Sequence, residues 1–501
     1  MSEINWTNWL ILMASIVVLI GMGYYTNKKI VHGSDGEGGF LLAGRSLGPI
    51  IGGGTIVATG FSGWGFMGSP GAAYAFGTTE LLGNFFFGFS LVIGVLFFAR
   101  FLYRRGVKMG ALTIPEFIAK NHPGDERMQR ILQGTASVIT AVLLSVFLVG
   151  QIKALGMLGG SWLGIPLEYA AALMVLVIVI YTSMGGLAAV AWTDTFMVIC
   201  MTISAIYICF QMFTDISLFE MIDQLHVIDA NLVNPATANP YGSAPFQIFY
   251  LLPYTILFAC VLPYQSIRLM SFRPDVKAHH VAMVVAPIGL LLSMIPFVGL
   301  YMRIKFPKLA VADEAMPMYL KHFMPPIASG LITLFILFAM QSTANSVLLV
   351  VSSSLSHDLR KAIKPESKIS DKQAVALNQA AVVIIGLITM AMMLFAPPFM
   401  LNMIAIMGTG TLMASFVGPV LVSVFWKGTA KGALAAIISG FCISAGLLVF
   451  SDLGWIEPPI YAAVCSSIIY VVVSRFTRTD PVRSKYTEGT AHHHNARPLA
   501  H

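Results

Sequence analysis

Segments of about 20 mostly apolar residues can cross a bilayer as α-helices, and they recur along nearly the whole of this 501-residue chain. The bilayer core holds no water, so backbone N–H and C=O groups there must pair within the segment, as they do in a helix. Length and hydropathy place about thirteen spans, at 8–25, 49–76, 79–101, 129–157, 165–184, 191–213, 246–269, 278–302, 326–356, 374–396, 399–425, 431–450 and 459–475. Only 11% of residues are charged and 57% are hydrophobic, whereas soluble domains carry about 25% charge. The expected fold is all-α and polytopic, with one transmembrane domain over 1–475. The polar remainder, 476–501, has no apolar period and is expected to be a disordered cytoplasmic tail.

The second span is the least ordinary. From Gly52 to Gly77 it reads GGGTIVATGFSGWGFMGSPGAAYAFG, although glycine inside a helix costs about 1 kcal/mol relative to alanine. Two structures fit. One is a small-residue face packed tightly on its neighbours. The other is a helix unwound at membrane depth, tolerated where backbone lines a cavity and binds ions or solute. The seventh span, 246–269, is also interrupted, by Pro253 and Pro263, each of which removes a ladder bond. The two interruptions lie five spans apart. Interrupted segments in corresponding positions of two halves point to a transporter binding site, and the offset predicts two five-helix repeats at 49–213 and 246–425. Two unrelated kinks are the alternative.

The ninth span holds the densest intramembrane polarity: Gln341, Ser342, Thr343, Asn345, Ser346, then Ser352, Ser353 and Ser354. Helical spacing brings the Ala339 carbonyl near the hydroxyls of Ser342 and Thr343. Unwound backbone near Ala58 and Phe61 can add carbonyls. Together they form an oxygen set suited to Na⁺ without a carboxylate. The alternative is that each hydroxyl bonds back to its own helix. Asp194 is an ionisable residue in a membrane segment, and so a functional candidate; it fits equally as an N-cap at the start of the sixth span.

Basic residues set topology. They crowd 100–130 and 360–372, and Arg268, Arg273 and Lys277 follow the seventh span, whereas 214–245 carries acidic residues and no Lys or Arg. This places the N-terminus outside and the C-terminus in the cytoplasm; the basic loop 303–324 runs against that scheme. The net charge of +7 is accounted for by such loops and implies no nucleic-acid partner. The five cysteines lie in apolar spans and are read as unpaired. No metalloprotease, nucleophile-elbow or P-loop motif is present, so no enzyme is expected, no cofactor beyond a coupling ion, and no obligate protein partner. His492, His493 and His494 in the tail are read as incidental.

Several motifs carry a resemblance: Leu42-Ala43-Gly44-Arg45-Ser46-Leu47-Gly48, Ser62-Gly63-Trp64, Gly68-Ser69-Pro70-Gly71-Ala72-Ala73-Tyr74, Gly185-Gly186 with Trp192-Thr193-Asp194-Thr195, and Gln341-Ser342-Thr343. Over about residues 8–475 the chain resembles the sodium:solute symporter family, which includes bacterial proline and pantothenate permeases and the sodium–sugar transporters. The resemblance implies the inverted five-helix repeat of the leucine-transporter type, in a bacterial cytoplasmic (inner) membrane. It implies a sodium site from the carbonyls of Ala58, Phe61 and Ala339 and the hydroxyls of Ser342 and Thr343. It further implies that Asp194 and Ser346 resemble a second sodium site, where Asn345 stands in place of a hydroxyl.

For the solute, the resemblance divides between proline and pantothenate permeases. The proline type has an aspartate where this chain has Gly60, and aromatics where it has Thr255 and Ala259. The expected pocket walls are Thr59, Ser62 and Trp64 from the second span, Phe147 and Gln151 from the fourth, and Tyr254 from the seventh. Positive half-helix N-termini suit a carboxylate-bearing solute: pantothenate, proline or another amino acid, or a monocarboxylate. Sodium-coupled uptake by alternating access is the expectation. A solute sensor with little flux and proton-coupled uptake are the alternatives.

Overall fold

The computed structural model describes residues 6–28, 36–234, 247–366, 369–396 and 400–478. Regular structure among them is helical, apart from an isolated parallel bridge between Leu47 and Phe272. In chain order the main helices are α1 (Trp6–Thr26), α2 (Pro49–Gly60), α3 (Ser69–Phe76), α4 (Thr79–Met109), α5 (Ile114–Asn121), α6 (Glu126–Leu163), α7 (Leu167–Asp215), α8 (Gln247–Val261), α9 (Pro263–Leu269), α10 (Ala278–Lys305), α11 (Pro326–Ile363), α12 (Asp371–Leu394), α13 (Leu401–Phe425), α14 (Ala430–Phe450) and α15 (Glu457–Thr477). Among the described residues, ten helices are long and apolar enough to cross a membrane, or eleven if the bent pair α8–α9 is one span. This is a multi-pass membrane protein. The histidine tract and nearly all of the expected tail lie outside the described residues.

Span limits move where helices outrun the bilayer. The spans expected at 165–184 and 191–213 form one helix, α7, of 49 residues, roughly 73 Å at 1.5 Å per residue and far longer than one crossing of about 30 Å. Its break is conformational: Gly186 has φ 52° and ψ −145°, a geometry open to glycine alone. A Cβ there would also collide with the Phe40 carbonyl.

Of the two prolines in the seventh span, only one breaks it. Pro253 sits inside α8, whereas Leu262 turns extended and Pro263 starts α9, bending the pair by 59°. The second span is both tightly packed and interrupted, at different positions. Gly53 packs on Val284 of α10 and Gly54 on Thr195 of α7. The helix then ends at Gly60, with Phe61 extended at φ −87° and ψ 95°. Past the break, α3 lies so near α10 that a Cβ at Gly299 would meet the Pro70 carbonyl.

The Arg45 motif ties loops on one side of the membrane. Leu47 bonds the backbone at Ser271 and Arg273, and the Arg45 guanidinium donates to the Ala111 carbonyl at 3.2 Å. The cysteines among the described residues are free.

Candidate ion and solute sites

The break in α2 opens toward α11. Ser342 Oγ stands 2.8 Å from the Ala58 carbonyl on α2 and 2.8 Å from the Ala339 carbonyl on its own helix. One hydroxyl proton serves both, so three oxygens converge where α2 stops. Thr343 Oγ1 donates to the Thr59 carbonyl at 2.9 Å, crossing to α2 rather than bonding back along α11. The extended backbone of Phe61 turns its carbonyl out of the α2 ladder, while its ring packs edge-on against Phe87 at 5.3 Å. Ala58, Thr59, Phe61, Ala339, Ser342 and Thr343 are all buried.

A second cluster lies alongside. Asp194 sits in the helical part of α7 about two turns beyond the Gly186 break, fully buried. It accepts from side chains, not from orphan amides, so the N-cap reading fails. Thr55 Oγ1 donates to Oδ2 at 2.6 Å and Thr59 Oγ1 at 3.1 Å, while Asn345 Nδ2 donates to Oδ1 at 3.3 Å. The remaining partner is Arg268, whose Nη2 is 3.2 Å from Asp194 Oδ2 with neither side chain exposed. Its Nε donates to Thr55 Oγ1 at 2.7 Å, and its other nitrogens bond the Tyr264 carbonyl and the Ser346 hydroxyl. Ser346 in turn donates to the Ser342 carbonyl at 2.7 Å. Reading Arg268 as a loop charge is therefore corrected: it belongs to α9, inside the bundle. A buried ion pair is held only when hydrogen bonds satisfy its remaining donors and acceptors, and here they do.

A cavity of about 50 Å³ adjoins the break, lined by Gly60, Ser62, Trp64, Glu80, Phe87, Phe147, Tyr254, Thr255, Phe258 and Thr409, among others. That is room for a few water-sized groups, at about 10–15 Å³ each. Trp64 packs edge-on to Phe87 at 5.1 Å, and Phe147 stacks on Tyr264 at 5.7 Å. Of the expected wall residues, Ser62, Trp64, Phe147 and Tyr254 line this cavity, while Thr59 and Gln151 do not. The Thr59 hydroxyl faces Asp194, and Gln151 Oε1 accepts from the Gly63 amide at 3.0 Å, capping the helix that resumes after the break. Tyr254 and Phe258 of the seventh span line this cavity, each one residue before the positions of Thr255 and Ala259.

Sequence reasoning missed Glu80. It is the one charged residue lining this cavity and is 1% exposed. Its partners are neutral: Asn84 Nδ2 at 2.8 Å, with Asn402 Nδ2 at 3.4 and 3.5 Å. Among the described residues no Lys, Arg or His pairs with it. The signal was an acidic residue just inside an apolar run.

A third polar cluster ties the Arg-rich side. Glu116 meets Lys120 at 3.0 Å, His357 at 3.1 Å and Lys361 at 3.2 Å, and His357 Nδ1 lies 2.7 Å from Glu37. Burial alone would raise the Glu116 carboxyl, but the His357 hydrogen bond and the surrounding positive charge hold it well below the usual range.

Comparison with known proteins fixes the class. The family model described as "Sodium:solute symporter family" matches residues 40–440. The chain belongs to the sodium:solute symporter family. A sodium/proline symporter of Staphylococcus aureus is 27% identical to this symporter, covering 95% of this chain and 94% of its own length. A Na⁺-coupled sialic acid symporter, solved in a substrate-bound outward-open state, superposes with a TM-score of 0.74 at 18% identity, covering 94% of this symporter and 98% of itself. A nucleobase-cation-symport-1 family transporter in a closed conformation superposes with a TM-score of 0.55 at 15% identity, over 87% and 93% of the two chains. These last two show the shared fold. The protein is a transporter, not an enzyme, and its family is one of sodium-coupled symporters.

Proposed function

We propose that this symporter carries a small solute bearing both an amino group and a carboxylate, together with Na⁺, into the cell by alternating access. The observation that carries the reading is Ser342, whose hydroxyl joins the Ala58 and Ala339 carbonyls across the break in α2. Na⁺ held by Ala58, Phe61, Ala339, Ser342 and Thr343 ties α2 to α11. That orders the break, and Ser62 and Trp64 just beyond it form one wall of the solute cavity. Ion and solute thus stabilise the same backbone, which couples them. An inward charge moving through 100 mV releases about 2.3 kcal/mol. The Glu80 carboxylate and the aromatic walls suit a cationic amino group on an apolar body, and the positive half-helix end beyond the break suits its carboxylate.

In this reading the chain crosses the membrane thirteen times: the ten long helices, the bent pair α8–α9, the second half of α7, and the interrupted 49–76 span. The repeats are 49–213 and 246–425 within one domain over 1–475. The N-terminus is outside, and the membrane is the bacterial inner one. Asp194, Asn345 and Ser346 form the coupling cluster beside the sodium site.

Proton-coupled uptake is the second reading, favoured by Asp194 touching α11 through Asn345. Both are tested by uptake into proteoliposomes of proline, other amino acids, pantothenate and short monocarboxylates. Each solute is run with an inward Na⁺ gradient, with K⁺ in its place, and with a pH gradient alone. Na⁺-dependent uptake of an amino acid supports the first reading. Uptake driven by the pH gradient without Na⁺ replaces it with the second.

A further inference from the structure

On the Arg-rich side of the membrane, a groove of about 510 Å³ runs between the first turns of α6 and the last turn of α11. Arg127 and Arg130 stand at its rim. Three residues apart on a helix, they share a face. Neither makes an ion pair or a side-chain hydrogen bond among the described residues. Below them the walls turn apolar. Ile131 and Val138 are each 43% exposed and Ile363 is 68% exposed. The floor is narrow, because a Cβ on Gly134 would lie 3.3 Å from that of Ala362.

From Arg127 to Ile139 the wall rises roughly 18 Å at 1.5 Å per residue. The occupant that matches has a negative charge at one end and a long apolar body. A soluble phosphate would use the rim and leave the walls uncovered. A neutral lipid would cover the walls and leave two guanidinia without an anion, although guanidinium is the side chain whose fork matches phosphate. Basic pockets between helices at the cytoplasmic side bind anionic headgroups. We propose that this groove binds one anionic membrane phospholipid, its phosphate between Arg127 and Arg130 and an acyl chain along Ile131, Val138 and Ile363.

The test uses the full chain purified in detergent and analysed by native mass spectrometry. Phosphatidylglycerol and phosphatidylcholine of identical chains are supplied in equal amounts. Preferential retention of phosphatidylglycerol is expected. The double variant Arg127→Gln/Arg130→Gln should lower that retention roughly twenty-five-fold, about five-fold per arginine. Thr135→Trp fills the groove and keeps both charges, and it should also abolish retention. Arg475→Gln, another exposed basic residue outside the groove, should leave it unchanged. Equal retention of the two lipids would overturn the proposal, as would a preference untouched by both groove variants. Displacement of the lipid by millimolar glycerol phosphate would also overturn it, since the rim alone would then be the site.

Discussion

Arg268 and Asp194 form an ion pair at 3.2 Å with both side chains wholly buried, joining α9, which follows one helix break, to α7. Through Thr55 and Ser346 the same guanidinium reaches α2 and α11. The pair therefore fastens four helices around the break that follows α2. Removing one partner leaves a buried charge alone, which costs about 3–5 kcal/mol.

Arg268→Ala should accordingly lower thermal stability in detergent by many degrees. Arg268→Lys should recover only part of the loss, because an ammonium lacks the fork that reaches Thr55, Asp194 and Ser346 together. Asp194→Asn/Arg268→Met should be more stable than Arg268→Ala. A double variant no better than the single one would mean that the pair carries no mutual stabilisation.

Ser342→Ala and Thr343→Ala each remove one oxygen at the break in α2. Each should raise the Na⁺ concentration for half-maximal uptake about tenfold, the effect of one lost polar contact, with a smaller change in the solute concentration required. Uptake titrated separately in Na⁺ and in solute checks this. Equal shifts in both would place these hydroxyls in general packing.

Glu80→Gln keeps the shape of the side chain and its place beside Asn84 and Asn402. It should weaken uptake of an amino acid about ten- to a hundredfold, in line with a charge-assisted hydrogen bond of about 1.5–3 kcal/mol. Competition by the matched carboxylic acid without the amine should be unchanged. Paired competition with proline and cyclopentanecarboxylate reads the difference. Equal loss for both would remove Glu80 from amine recognition.

Asp313 lies in a short turn between spans, and burial raises its carboxyl to about 6, against the opposing effects of the Leu401 amide and Lys153. Its folded value exceeds the unfolded one of about 3.9, so the native state holds the proton more tightly. That contribution is complete at pH below 3.9 and is lost as pH rises through 6. Asp313→Asn keeps an acceptor for the Leu401 amide, now bonded at 3.0 Å. It should match the parent near pH 4 and melt a few degrees higher at pH 8. An offset independent of pH would contradict this.

The helical, membrane-spanning character was legible because hydropathy is summed over many residues and a single error is diluted. The breaks were legible for a local reason: glycine runs and Pro263 forbid an unbroken ladder. Pro253 misled because a proline marks a weakened helix, and only packing decides whether it bends. Arg268 was read as a loop charge because the rule for cytoplasmic positive charge sees position relative to a span end, not the Asp194 that neutralises it from 74 residues away. Glu80 was missed for a like reason. It falls at the edge of its span, where hydropathy expects water, and the start of α13 covers it instead through Asn402. The roles of Thr59 and Gln151 depended on which way a side chain faces at a break, where helical periodicity gives no guide.

The contact at Gly299 has a mechanical meaning. With no side chain between them, α10 and α3 meet backbone to backbone, so a tilt of α10 is passed to α3 without slack. The two helices are in effect one stiff body, and the extended residue Phe61, with Ser62 and Trp64 against the cavity, stands between that body and the end of α2.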